Sequence, residues 1–336
     1  ATFSSEELAP NSPVSAVQIG DPITQKKLSD VIIKELRDDD LYTSITDNGA
    51  GGLSSSIGEM GKESGGFIVN LDKVPLKYQG LYPWEIWISE SQERMTLAVK
   101  SSNVKTVINR FKKRGVEATV IGKFTKEKKA IVKFNETEVL NLDMKFLHEG
   151  YPKLHLKTKK PKYLKIKRKK TKKYSIIKNL HKLLSSPNIV SKEFIANQYD
   201  HEVQASSIIK PLQGSGKIFG NSTAIKPLFH DNKIISLSQS AFPQYSESDP
   251  YKMAASSINT AVKNLIVMGA NSKKIAILDN FCWCSSDEPE RLYELKEAAK
   301  ACFDYAVAYN TPFISGKDSM YNDFKGFNQK GKATKI

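Results

Sequence analysis

An α/β fold, with mixed sheets and helices (α+β in character) rather than segregated blocks, is what this sequence predicts, on three observations. Helix-spaced and strand-like apolar segments alternate over residues 1–150 and again beyond residue 201; proline-opened helix starts recur at Asp21-Pro22 and Asp249-Pro250; and polar residues collect just past the ends of strand-like runs. A chain of 336 residues with 40% hydrophobic content has room for two domains with real cores. The expected organisation is a first domain over 1–150, a basic linker over 151–200 and a second domain over 201–336.

The elements follow in order. Strands are expected at 14–19, 43–47, 66–71, 84–89 and 95–99, with a helix opened by Asp21 and Pro22 in which Leu28, Ile32 and Leu36 recur at helical spacing. Ser102 is positioned to cap a helix through "NVKTVINRFKKR", Gly115 to end it in a left-handed conformation, and "EATVIG" to follow as a strand. Past the linker, "IIKNLHKLLSS" has a short helical pattern, and the similar phrases "ASSIIKPL" and "STAIKPL" read as neighbouring strands of one sheet. Asp249 and Pro250 open a helix whose buried face is Met253, Ile258, Ala261, Val262 and Leu265 and which stops at Gly269. The strand "KKIAILDN", a helix over 287–309 with Leu292, Leu295, Ala299, Cys302, Phe303 and Ala306 inward, and the strand "TPFIS" complete the pattern.

The net charge of +15 is concentrated: twelve Lys or Arg and no acid lie between Lys153 and Lys173, so the remainder of the chain carries only +3. That distribution reads as a solvated linker; nonspecific binding of phosphate backbones, with Tyr163 stacking on a base, is the alternative. Three cysteines fit a reducing, cytoplasmic setting, and Cys282 and Cys284 read as buried thiols rather than half of a zinc site. No apolar run reaches the roughly 18 residues of a membrane span, so no membrane partner is expected. The five histidines fall in no metal-ligand or nucleophile spacing.

Three constellations carry candidate chemistry. In "ITDNGAGGLSSSIGEMG", Asp47 precedes Gly49, Gly51 and Gly52 and a helix start, a pattern suited to a carboxylate holding Mg²⁺ beside backbone amides that accept an anion; a glycine-rich turn with Asp47 as a local cap is the alternative. In "PWEIWISESQERM", Glu90, Ser91 and Gln92 end a strand bearing Ile86 and Ile88, where they can read a polar substrate; otherwise the segment is a capped turn with Glu93 and Arg94 as a surface pair. In "LDNFCWC" with "SGKDSM", Lys317 can neutralise phosphates and Asp279 or Asp318 can hold a metal or a ribose, or these are ordinary strand-to-loop caps.

Taken in order, "SPVSAVQIGDPITQKK", "TDNGAGGLSSSIGEMG", "LDKVPLKYQGLYPWEIWISESQERM", "DPYKMAASSINTAV", "LDNFCW" and "PFISGKDSM" resemble the synthetase subunit of the phosphoribosylformylglycinamidine synthase family, within the aminoimidazole ribonucleotide synthetase-like superfamily. The resemblance covers most of the chain outside the basic linker. It implies a C-terminal domain of a first synthetase copy followed by the N-terminal domain of a second. The implied activity is an ATP-dependent ligase of de novo purine synthesis. It converts formylglycinamide ribonucleotide, ATP and glutamine-derived ammonia into formylglycinamidine ribonucleotide, ADP and phosphate.

Carried over by resemblance, Gln18, Glu90, Ser91, Gln92 and Ser319 match substrate contacts, Asp47 matches a magnesium ligand, and Asp279 and Gly316 match ATP contacts. Where many small forms of the enzyme have a metal-binding asparagine, this chain has Lys317, which cannot ligate a cation while protonated, so a direct phosphate contact is expected there. The implied cofactors are Mg²⁺ and ATP, and the implied partners are a glutaminase subunit or domain and the remaining synthetase domains. The family's proton-accepting histidine is expected outside this chain, which reads as an internal portion that does not turn over alone. Rival readings are another ATP-dependent synthetase or kinase of the superfamily, and a nucleic-acid-binding protein acting through residues 153–173.

Overall fold

The computed structural model describes residues 17–18, 21–77, 79–91, 93–163, 175–198, 205–323, 325–327 and 331–335. The chain divides into two compact units, one of residues 1–155 with 321–336 and one of residues 156–320.

Unit 1 starts with β1 (Val17–Gln18) and α1 (Pro22–Val31), which continues as a π-helical turn over Ile32–Leu36. Asp21 caps α1 as its sequence requires: Oδ1 accepts the Ile23 N–H at 3.2 Å and Oδ2 accepts the Thr24 hydroxyl at 2.6 Å. Next come β2 (Ser44–Asp47), α2 (Gly52–Ser64), β3 (Phe67–Asn70), α3 (Pro83–Ile88), β4 (Glu90–Ser91), β5 (Met95–Ala98) and α4 (Val104–Lys113). β6 (Gly122–Phe124), β7 (Lys129–Phe134), β8 (Thr137–Asp143) and α5 (Met144–Glu149) close this part of the chain.

β6, β3, β7 and β8 form a four-stranded sheet, parallel between β3 and β7 and antiparallel elsewhere, while β2 pairs antiparallel with β5 and β1 parallel with β4. One core gathers Leu53, Ile57, Phe67, Val69, Ile86 and Val132 between α2, α3 and the larger sheet. A second gathers Val31, Leu36, Val107, Phe111 and Val116 between α1 and α4.

Unit 2 contains α6 (Ile176–Leu184), α7 (Glu193–Ala196), β9 (Ser207–Ile209), β10 (Leu212–Gln213), β11 (Ile218–Phe219), β12 (Ser222–Ile225) and β13 (Ile235–Ser238). It continues through α8 (Pro250–Val267), β14 (Ile277–Cys282), α9 (Pro289–Tyr309) and β15 (Phe313–Ser319). The two Lys-Pro phrases do contribute neighbouring strands, since β12 lies between β9 and β13 in an antiparallel sheet. Asp249 accepts the Lys252 N–H at 3.0 Å at the start of α8, and Gly269 follows its end at φ +89°. α8 and α9 meet through alanines, Ala254 and Ala255 against Ala298 and Ala301, which lets the two backbones approach closely. β16 (Lys325–Phe327) and β17 (Ala333–Lys335) form an antiparallel pair grouped with unit 1. Among the described residues no helix is long and apolar enough to cross a membrane.

Several expected elements differ. Residues 84–89 do not form a strand: Pro83–Ile88 is α3, with Pro83 in its first turn and Glu85 Oε2 accepting the Tyr82 N–H at 2.7 Å. The alternation Trp84, Ile86, Ile88 is too short to separate the two periods, and the cap decides it. "EATVIG" reaches a strand at Gly122, its last residue; residues 117–121 are outside any strand, although the Ile121 carbonyl already accepts the Asn70 N–H of β3 at 2.8 Å. Ser102 lies in a 3₁₀ turn over Ser101–Asn103, its hydroxyl on Asn103 Oδ1 at 3.1 Å, so it does not cap α4; Gly115 does end that helix, at φ +66°.

On α9 the inward face is Glu294, Ala298, Ala301, Cys302 and Tyr305, whereas Ala299 is exposed and Phe303 is 68% exposed. The small residues that fit α8 set the rotation of α9 and outweigh its larger apolar ones. In the basic linker, residues 164–173 lie outside the described residues. Its earlier part runs along the start of α9, where the Lys159 N–H donates to Pro289 O at 2.9 Å and Lys159 Nζ meets Glu290 at 2.7 Å.

Replacing the α3 cap tests the helix assignment. Glu85→Ala is expected to destabilise unit 1 by about 1 kcal/mol, seen as a lower urea midpoint, because it frees the Tyr82 N–H.

Candidate functional site

The glycines of the Asp47 segment do specific work. Gly51 and Gly52 take φ +85° and +55°, and a Cβ on Gly52 would overlap the Ser89 carbonyl oxygen and stand 2.9 Å from the Ile88 carbonyl carbon. The missing side chain therefore lets the start of α2 rest on the backbone that leads into β4. No side chain caps α2 at this end. Asp47 closes β2 with its carboxylate exposed, and its Oδ1 accepts the Gly49 N–H at 2.7 Å.

Behind Asp47 the loop is anchored by Asn48, which is 1% exposed. Asn48 Oδ1 accepts the Ser56 hydroxyl of α2 at 2.6 Å and the Thr96 hydroxyl of β5 at 2.9 Å, and its backbone N–H donates to Arg94 O at 3.2 Å. Its Nδ2 is buried without a partner among the described residues.

The strand β4 sets Glu90 opposite Val17 and Ser91 opposite Gln18 in parallel register. Gln18 and Ser91 thus share one pair of strands, beside the backbone on which Gly52 rests. Glu90 is half-buried, and its Oε1 is buried with no partner among the described residues. Gln92 lies outside the described residues. The strand bearing these groups is two residues long and does not include Ile86 or Ile88, which belong to α3.

The expected surface pair of Glu93 with Arg94 does not form. Glu93 Oε2 instead accepts the Asp21 N–H at 2.9 Å, and Arg94 is half-buried, its Nη2 donating to Ser89 O at 3.2 Å. Burial holds the Arg94 guanidinium below its usual pKa. Asn48 and Arg94 are what sequence reasoning passed over; the signal was their place inside the two motifs, next to Asp47 and Glu90. Unit 1 also has a half-open cavity of about 1170 Å³, whose wall includes Asn48, Ser89, Ser91, Arg94 and Thr96 among largely apolar residues.

In unit 2, β14 and β15 run parallel with Asp279 opposite Gly316, Asn280 opposite Lys317 and Cys282 opposite Ser319. The Asp279 carboxylate lies over Gly316 so closely that a Cβ there would overlap Oδ1. Lys317 and Asp318 are exposed and Ser319 is half-buried. The four expected residues of this unit therefore share one strand pair, at whose carboxyl end ligands of α/β sheets commonly bind.

Cys282 is exposed and Cys284 half-buried, contrary to the expectation of two buried thiols: the final turn of the pair faces outward. Burial, reinforced by Asp279, raises the thiol pKa of Cys302 on α9.

The donor chemistry limits the metal. Among the described residues no three His, Cys, Asp or Glu side chains gather as a metal cage. A single exposed carboxylate beside glycine backbone fits Mg²⁺, which keeps water and takes the rest of its ligands from substrate phosphates, and does not fit zinc.

Residues 1–135 match the family model described as AIR synthase related protein, C-terminal domain, and residues 221–328 match AIR synthase related protein, N-terminal domain. The chain is 35% identical over 326 residues to the phosphoribosylformylglycinamidine synthase subunit PurL of Thermococcus sibiricus, an alignment covering 96% of this chain and 44% of that protein. The Thermotoga maritima PurL structure complexed with ATP superposes with a TM-score of 0.71 at 23% identity, over 92% of this chain and 48% of that one. The same enzyme complexed with FGAR gives 0.68 at 22% identity, over 91% and 46%. The chain spans under half the length of these proteins.

Gly52→Ala is expected to cost about 2–4 kcal/mol in urea denaturation, combining the overlap with the left-handed penalty, whereas Gly80→Ala, at φ +82° with open space around it, should cost about 1 kcal/mol. Iodoacetamide at pH 8 should label the exposed Cys282 faster than the half-buried Cys302 in the native protein, read by peptide mass spectrometry; equal native rates would contradict the raised Cys302 pKa.

Proposed function

From a chain that belongs to the AIR synthase related family, with the C-terminal type of domain preceding the N-terminal type, we propose part of a phosphoribosylformylglycinamidine synthase. The reading rests on one observation above all: the Asp47–Gly52 loop and the β4 strand of Glu90 and Ser91 are held together because Gly52 rests against Ser89. One end of that assembly offers an exposed carboxylate, and the other offers acceptors and donors for a polar substrate.

In this reading unit 1 holds formylglycinamide ribonucleotide through Gln18, Glu90, Ser91 and Gln92, with Asp47 as the protein's ligand for Mg²⁺. Bound Mg²⁺ would supply neutralisation of phosphate charge. Unit 2 holds nucleotide through Asp279, Gly316 and Lys317, with Ser319 as a further substrate contact. Lys317 acts as a cationic phosphate partner. The T. maritima relative's complexes with ATP and with FGAR support these two ligand classes.

An amide oxygen is a poor leaving group. ATP phosphorylates it, ammonia adds at the same carbon, and the oxygen departs as inorganic phosphate, leaving the amidine and ADP. The residues of this chain contribute positioning and charge, which is where such reactions gain most of their rate. Glutamine-derived ammonia from a glutaminase, the remaining synthetase domains, a place in purine synthesis and a cytoplasmic location belong to the same proposal.

Calorimetric titration of formylglycinamide ribonucleotide tests it. The chain should bind the ribonucleotide more tightly with Mg²⁺ than without, and Asp47→Asn should remove that difference, weakening Mg²⁺-dependent binding about tenfold. No binding by the unaltered chain at millimolar ligand would overturn the reading, and an intact Mg²⁺ effect in Asp47→Asn would remove Asp47 from it.

A further inference from the structure

Among the described residues, arginines other than Arg94 meet carboxylates. Arg37 meets Asp38 at 3.0 Å, Arg110 meets Asp39 at 2.6 Å, Arg114 meets Glu35 at 2.7 Å and Arg291 meets Glu294 at 3.3 Å. Among the described residues Arg94 is the exception. Its side chain makes one hydrogen bond, to the Ser89 carbonyl, and its Nε is buried with no partner. Neither of the nearest acids in sequence pairs with it: Glu93 accepts the Asp21 N–H, and Glu90 Oε1 is buried without a partner among the described residues.

A guanidinium has five donors and stays charged, so a half-buried one with a single neutral acceptor is short of both hydrogen bonds and counter-charge. Among the described residues of unit 1 nothing makes good that deficit. Arg94 also sits where the two motifs meet: its carbonyl receives the Asn48 N–H behind Asp47, its Nη2 holds the Ser89 carbonyl on which Gly52 rests, and it lines the cavity beside Ser89 and Ser91.

We propose that Arg94 is an anion-binding residue of the unit 1 site, and that the anion is the phosphate monoester of a sugar phosphate. A phosphate monoester matches the planar fork of the guanidinium with two oxygens and supplies the charge the site lacks. The proposal builds on the ribonucleotide reading given above, since a ribonucleotide carries such a group. It assigns the group to a residue outside the set that the family resemblance supplied.

Titration of the chain with ribose 5-phosphate, with ribose and inorganic phosphate as controls, tests it. Arg94→Met should weaken ribose 5-phosphate about tenfold or more and leave any ribose binding unchanged, with Arg94→Lys intermediate. In the unaltered chain, saturating ribose 5-phosphate should slow phenylglyoxal modification of Arg94, a readout that survives if Arg94→Met does not fold. Equal affinity in Arg94→Met, an unchanged modification rate, or no binding by the unaltered chain would overturn the proposal, and inorganic phosphate binding as tightly as ribose 5-phosphate would overturn the sugar-phosphate assignment. If Arg94 governs ribose 5-phosphate while formylglycinamide ribonucleotide binds no better, the ribonucleotide reading fails and this one stands; if the ribonucleotide binds regardless of Arg94, the reverse holds.

Discussion

The candidate site of unit 1 depends on one missing methyl group. With no Cβ at residue 52, the first turn of α2 lies against the Ser89 carbonyl, and two segments some forty residues apart in sequence become one surface. The contact is reinforced from behind. Asn48 ties the loop to α2 and β5 through Ser56 and Thr96, while Arg94 holds the Ser89 carbonyl from the other side. Buried polar groups with incomplete partners are costly, and of the seven such side-chain atoms among the described residues three, Asn48 Nδ2, Glu90 Oε1 and Arg94 Nε, fall in or beside these two segments; the others, on Thr125, His148, Tyr163 and Thr311, lie elsewhere.

Unit 2 solves a similar problem with a different element. Two parallel strands set Asp279 beside Gly316, and glycine again makes room, this time for a carboxylate rather than for backbone. The alanine seam between α8 and α9 and the half-buried Cys302 form the packed side of this unit, and the last residues of the strand pair reach the outside. A protonated lysine there cannot ligate a metal and is suited to phosphate as a point charge, so the proposed Mg²⁺ falls to Asp47.

What the sequence made legible was local chemistry. Asp-Pro at 21–22 and at 249–250, and glycines at 115 and 269, each act within one turn of helix, and each acts in the structure as expected. The glycine run at 49–52 could be read as a loop of close approach, although its partner, the Ser89 carbonyl, could not. Residues 84–88 alternate like a strand and fold as a helix because Glu85 returns to the Tyr82 N–H, a bond worth more than so short a pattern. The face of α9 went the other way, toward its small residues, because the neighbouring helix offers alanines. Arg94 reads as a surface residue in sequence. Its burial is a tertiary outcome, set by the turn that sends Glu93 to Asp21 instead.

On the reading proposed above, residues 47–52 and 88–91 act as one ligand-binding surface. Amide hydrogen exchange of the chain with and without formylglycinamide ribonucleotide and Mg²⁺ addresses it directly. Both segments should gain protection together, at the same ligand concentration. Protection of one without the other, or of neither while the ligand is bound, would contradict it.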